Sequence, residues 1–360
     1  MIRIGVFIRT EDVPESDTDF NTSASSLLLH MAASYGVELF LFSPGDVDLE
    51  KNMINGLFIE NGKPLRRIVP VPFIIDNKTY ASSKCEKTLK IFKTLKERTQ
   101  FTRPSAGFTK MGQYECILSG NKFSGMVIPA LFINNETDMV QIFDTLGDDV
   151  ILKPNGLSRG IGIVAIKRYG KKFSIIKDNS EVKSLMPPEF KSHIDNIISS
   201  SRKYIAQKRV FSMTSFGNPF DIRILIQRRG KNSHSYVMYP RIGGGKLLSN
   251  LAAGGSTKPL DTFLEENFGD MAPDVKKELE ILAGTFPQYY QGHMKHPLFD
   301  LGIDVGIEKT KDSFKLWIFE VNFAPQFAFK DNYAHLHMEI TRATLECYHY
   351  LNNKAVNPPE

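Results

Sequence analysis

Three oxygen-bearing side chains towards the end of the chain have the spacing of cation ligands. In "KLWIFEVNFAPQF", residues 315–327, an apolar run rich in β-branched and aromatic residues is interrupted at alternate positions by Glu320 and Asn322. Residues two apart in a strand point to one face, so a carboxylate and an amide oxygen project side by side. Asp304 lies on the preceding strand, "GIDVGIE", across a turn at Lys309 to Asp312, and antiparallel pairing brings it beside them. Two carboxylates and an amide are hard ligands of the kind Mg²⁺ takes, with water and phosphate oxygens filling its other positions. A strand with one wet polar face also explains "EVN" alone, and Asp304 is what argues against that.

Three more segments combine charge with glycine. In "ILKPNGLSRGIGI", Lys153 ends a strand, and Gly156, Gly160 and Gly162 frame a turn containing Ser158 and Arg159. Glycines let backbone N–H groups approach phosphate oxygens, and a lysine adds a compact cation. No GK[ST] closes the turn as in a Walker loop, and it leads into a strand, unlike a dinucleotide fingerprint; a structural hairpin turn is the alternative. In "YIAQKRVFSMTSFGNPFDIRILI", a strand ending at Gln207, Lys208, Arg209 and Val210 offers backbone groups beside apolar side chains, which reading an adenine edge requires. Asp221 could accept from ribose hydroxyls, and an intrastrand ion pair with Arg223 is the plainer alternative. In "YPRIGGGKLLSNLAAGG", Arg241 ends a strand, and Lys246, Ser249 and Asn250 follow among glycines. An arginine fork there could neutralise charge on a transferring phosphoryl group, or the segment is a solvated loop.

The elements that must position these residues read as mixed α and β. Residues 2–8 form a strand, 23–35 a helix and 37–42 a second strand, a βαβ opening. A hairpin turning at Asn61-Gly62 and a charged helix from Ser83 to Glu97 complete an N-terminal α/β domain over residues 1–100. The second domain, residues 101–350, opens with a helix from Lys110 to Leu118, continues with a helix near 137–146 and antiparallel strands over 150–176, and ends with two strand pairs. Those pairs flank an amphipathic helix at 270–292. Residues 351–360 read as a frayed tail.

Composition sets the broad class. With 42% hydrophobic residues over 360, the chain can build one large or two to three ordinary domains with real cores. Three scattered cysteines without a CxxC pair fit a reducing compartment, and no signal-peptide core or membrane span is evident, so a cytoplasmic location is expected. A formal charge of +5 without a basic run gives little support to nucleic-acid binding. His234, His293 and His296 read as surface or structural histidines, and no general base is nominated.

The order of these pieces resembles the ATP-grasp superfamily, which includes D-alanyl-D-alanine ligases and ribosomal-protein glutamate ligases. Within it, "TKMGQYECIL", "ILKPNGLSRGIGI", "FDIRILIQ", "RIGGGKLLSNLAAGG" and "FEVNFAPQF" are most similar to the YheC/YheD-like, endospore coat-associated group. The resemblance covers about residues 100–350 and implies an α/β (α+β) ATP-grasp fold of two subdomains gripping ATP, behind a pre-ATP-grasp domain. It makes Lys110 and Lys153 phosphate ligands, the loop from Gly156 through Ser158 and Gly160 to Gly162 a flap, and Gln207, Lys208 and Val210 the adenine lining. By the same resemblance Asp221 meets the ribose, Arg241 with Asn250 stabilises the transferred phosphoryl group, and Asp304, Glu320 and Asn322 hold one or two Mg²⁺ or Mn²⁺ ions. Two departures stand out: Gln207 where many relatives carry glutamate, and Leu248 where glutamate ligases carry arginine, with Lys246 a substitute contact.

The implied activity is ATP-dependent joining of a small-molecule or peptide carboxylate to an amine through an acyl phosphate, without nucleic-acid or membrane partners. The rival readings are a non-catalytic nucleotide-binding or structural spore-coat protein and a phosphotransferase. Dimers are common in the superfamily, but nothing in the chain demands a homodimer.

Overall fold

A computed structural model describes residues 2–14, 26–78, 85–102, 108–133, 138–157, 160–177, 180–198, 203–230, 233–245, 247, 249, 254–294, 298–323, 325 and 334–356. The chain opens with β1 (Ile2–Phe7), α1 (Ser26–Ala32) and β2 (Val37–Phe42), and β1 pairs parallel to β2. β3 (Val47–Asp48), β4 (Met53–Glu60), β5 (Lys63–Pro70), β6 (Ile74–Asn77) and β7 (Gln100–Phe101) complete a seven-stranded sheet, with α2 (Glu86–Arg98) packed beside it. The β4–β5 turn is the expected hairpin: Asn61 and Gly62 both have positive φ, at 50° and 76°, as a type I′ turn requires.

The next unit contains α3 (Lys110–Leu118), β8 (Ala130–Ile133), α4 (Asp138–Leu146), β9 (Asp149–Pro154), β10 (Val164–Tyr169) and β11 (Lys172–Lys177), followed by β12 (Ser180–Leu185), α5 (Pro187–Ile198) and β13 (Tyr204–Lys208). Its six strands run in the order β12-β11-β10-β9-β13-β8. Val150 and Leu152 of β9 face a core with α4 and α5, and alternation turns Lys153 to the opposite face.

The last unit is a four-stranded antiparallel sheet, β15-β14-β16-β17, made of β14 (Phe220–Arg228), β15 (His234–Ile242), β16 (Asp300–Lys309) and β17 (Phe314–Asn322). α6 (Leu260–Phe268), α7 (Ala272–Gln291) and α8 (Ala334–Val356) complete the chain. Ile222, Ile224 and Ile226 pack towards Phe263, Val275, Leu279 and Phe286 of α6 and α7. Alternation sends Asp221 and Arg223 to the other face. The helix over 270–292 matches α7, whereas β12, α6 and α8 add elements beyond those expected.

The expected tail needs correcting. α8 continues to Val356, and Leu345, Cys347, Tyr348 and Leu351 are buried with Ile4, Val37 and Leu39 in the core of the first sheet. The helix thus takes in residues 351–356 of the expected tail, and residues 357–360 lie outside the described residues. Among the described residues no helix is long and apolar enough to cross a membrane.

Candidate functional site

β17 carries an irregularity that orients its polar residues. Asp304 pairs with Glu320 while Val305 pairs with Ile318, leaving Phe319 unopposed in a β-bulge. Leu316 and Ile318 face the core before the bulge, and Val321 and Phe323 do so after it. The extra residue thus switches Glu320 and Asn322 onto the face that carries Asp304. Gly306 makes room for Phe319, because a Cβ there would come within 2.1 Å of its ring.

The bulge also frees the Phe319 carbonyl. The Tyr114 hydroxyl donates to it at 3.0 Å and accepts from the ammonium of Lys153 at 2.7 Å and the side-chain amide of Gln207 at 2.9 Å. Lys153 lies 3.5 Å from the same carbonyl. Burial pushes the Tyr114 hydroxyl pKa up, and burial pushes Lys153 down to about 8 although Glu320 pulls it back. Lys110 opens α3, which Thr109 caps by accepting from Gly112 N–H at 3.2 Å. Its ammonium stands 3.4 Å from Glu320 and also donates to the Leu157 carbonyl. Lys110 thus lies against Glu320, and Lys153 against the carbonyl of the preceding residue.

A second cluster lies across the sheet. The Arg241 guanidinium forks onto Asp221 at 2.6 and 2.8 Å and reaches Asp304 at 2.9 Å. Arg223 forks onto Asp304 at 2.5 and 3.2 Å, and Asn322 donates to it at 3.3 Å. Register explains the clamp: Asp221 is opposite Arg241, and Arg223 is opposite Asp304. Burial acts to raise Asp304, but Arg223 and Arg241 outweigh it and hold the carboxyl below its ordinary range. Asp221 goes up, chiefly from burial, with the Asp304 charge adding to it and Arg241 opposing. Asp221 also accepts from Ser249.

These partners bear on two expectations. Asp221 pairs with Arg241 and Ser249, and Arg223, its alternative partner from the sequence, pairs with Asp304. Lys208 and Val210 are half-buried at the end of β13, but the Lys208 ammonium lies 5.6 Å over the Trp317 ring. The N–H groups of Lys208 and Arg209 already donate to the Pro129 and Asp149 carbonyls at 3.0 Å each. Gln207 sits with Lys153 on one face of the sheet, its amide turned to Tyr114.

The glycine loop leads from β9 to β10 as an antiparallel connection. Gly160 and Gly162 have φ of 74° and 76°, and a Cβ at Gly162 would meet Pro154 at 2.9 Å, so glycine is required there. Gly156 is exposed, with open space around its α-carbon. Ser158, Lys246, Leu248 and Asn250 lie outside the described residues.

Among the described residues no three His, Cys, Asp or Glu side chains converge. The set comprises Asp304, Glu320 and the Asn322 amide, whose Nδ2 bonds Asp304. That donor set fits a hard cation that takes few protein ligands and completes its shell with phosphates. Tyr114, Gln113, whose amide bonds the Val321 backbone, and Arg223 also border the site, and none of them was expected there. The apolar pattern shifting from 316 and 318 to 321 and 323 signalled the bulge; nothing local signalled Tyr114 or Gln113.

The structure is similar to D-cycloserine synthetase DcsG, with TM-score 0.55 and 11% identity over 96% of this chain and 99% of that one. It is similar to the D-alanine-D-alanine ligase from Coxiella burnetii, with TM-score 0.52 and 10% identity over 99% and 98% of the two chains. At these identities the likeness speaks to the fold, which is ATP-grasp. In sequence the chain is 23% identical over 355 residues to the endospore coat-associated protein YheD of Bacillus subtilis (strain 168), covering 93% of this chain and 75% of the relative. The model of the YheC/D-like ATP-grasp family matches residues 98–351. With most of its length so matched, the chain belongs to the YheC/D-like ATP-grasp family.

Proposed function

We propose that this protein is a cytoplasmic ATP-dependent carboxylate–amine ligase. The observation that carries the reading is the Lys110 ammonium 3.4 Å from Glu320, on the strand face that Glu320 and Asn322 share with the paired Asp304, which Arg241 reaches at 2.9 Å. The two lysines would bind the β- and γ-phosphates, the loop from Gly156 to Gly162 would close over them, and Gln207 to Val210 would border the adenine. The carboxylate oxygen of the first substrate attacks the γ-phosphorus; the new O–P bond forms as the bond to ADP breaks. The amine then attacks the acyl carbon, and phosphate leaves with its bonding pair and takes up the proton that the amine nitrogen loses. Arg241 neutralises charge on the phosphoryl oxygens, and the closed glycine loop keeps water from the acyl phosphate. A divalent cation held by Asp304, Glu320 and Asn322 would supply neutralisation of phosphate charge. The reaction is mainly one of positioning and electrostatics.

The test is ADP release from MgATP with a panel of carboxylic acids, with and without amines. Acid-dependent ADP formation is expected; no ADP formation together with no MgATP binding overturns the proposal. A structural role in the spore coat is the second reading, favoured by the name of the Bacillus subtilis relative. Glu320→Gln and Asn322→Ala separate the two: a ligase loses turnover while folded, whereas a scaffold keeps its role.

A further inference from the structure

β17 is an edge strand, and edge strands leave a row of N–H and C=O groups without a neighbouring strand. At Val321 that row is filled by one side chain. The Gln113 amide donates to the Val321 carbonyl at 2.7 Å, and its carbonyl oxygen accepts from the Val321 N–H at 2.9 Å. A primary amide offers a donor and an acceptor side by side, so it can stand in for the peptide of a missing strand. Gln113 is 4% exposed, so water does not compete for either bond.

The position of this contact gives it meaning. Val321 lies between Glu320 and Asn322, and the peptide planes on either side of it set where those side chains point. α3 grips three successive residues of the strand: Tyr114 holds the Phe319 carbonyl, Lys110 faces Glu320, and Gln113 holds Val321. We infer that Gln113 is a positioning residue that fixes Glu320 and Asn322 for a divalent cation and holds them in register with the phosphate lysine on the same helix. This rests on the nucleotide-binding reading above. Outer-shell partners of this kind act on affinity for the ion through its ligands.

Gln113→Met keeps length and bulk and removes both bonds. ATP is titrated into wild-type and variant protein by calorimetry, once with EDTA and once with MgCl₂, and the free proteins are melted in parallel. The Mg²⁺-dependent gain in ATP affinity should fall by about tenfold or more, with Mg²⁺-free affinity unchanged. Ile117→Val, a core truncation in the same helix that leaves the Val321 bonds in place, should lower the melting temperature but keep the gain. An unchanged gain, or an equal loss in both buffers, overturns the assignment. No ATP affinity of the wild type in either buffer overturns the nucleotide reading and this role with it. If Gln113→Met does not fold, Gln113→Glu, which keeps the acceptor and loses the donor, is judged by the same outcomes.

Discussion

The Arg241 guanidinium lies 2.9 Å from Asp304 while forking onto Asp221, so one cation joins two buried carboxylates. In the proposed reaction Arg241 turns to the phosphoryl group and Asp304 to the metal. In the structure they neutralise each other.

Arg241→Ala should therefore damage the fold as well as the chemistry. It leaves Asp221 and Asp304 buried with Arg223 as their nearest strong cation, and removing one partner of such a cluster costs about 3–5 kcal/mol. Arg241→Lys restores charge but not the fork, so only part should return. Urea unfolding of the three proteins measures both effects.

Lys153 predicts a pH dependence. Burial takes its ammonium from the ordinary 10.5 down to about 8 in the free protein. A bound triphosphate favours the charged form, so above pH 8 binding must return the proton, and log affinity should fall by about one per pH unit. Calorimetry at pH 8.5 in buffers of different ionisation enthalpy should register proton uptake, and Lys153→Met should abolish it. The stability sign runs the other way. Between pH 8 and 10.5 the unfolded chain keeps a proton that the folded chain sheds, so wild-type stability gains with rising pH relative to Lys153→Met.

Gly306→Ala tests the bulge. The new methyl would lie 2.1 Å from the Phe319 ring and force it to move, a clash expected to cost about 1–3 kcal/mol. Because the Phe319 carbonyl also serves Tyr114 and Lys153, ATP affinity should drop alongside the urea midpoint.

Leu351→Ala tests α8. Leu351 is 2% exposed in the core shared with β1 and β2, and emptying such a site costs about 2–5 kcal/mol. Truncation after residue 350 should cost at least as much, whereas truncation of a frayed tail would be neutral. Thermal melts decide between them.

Where the sequence could be read, a periodic pattern or local turn chemistry carried the information. Lys110 to Leu118, the Asn61-Gly62 hairpin and the Asp304–Glu320 pairing all have such signals. The partners of Asp221 did not, because Arg223 is two residues away in sequence while Arg241 is opposite only after β14 and β15 pair. Gln113 and Val321 are 208 residues apart, and no local pattern records such a contact. The C-terminal helix was missed because its apolar positions find their partners in the first sheet, at the far end of the chain.

That last contact has a consequence for biosynthesis. Ile4, Val37 and Leu39 leave the ribosome long before Leu345, Tyr348 and Leu351 exist to cover them. Until those residues emerge, the nascent first sheet keeps an apolar face uncovered while the ATP-grasp units that lie between them in the chain are made.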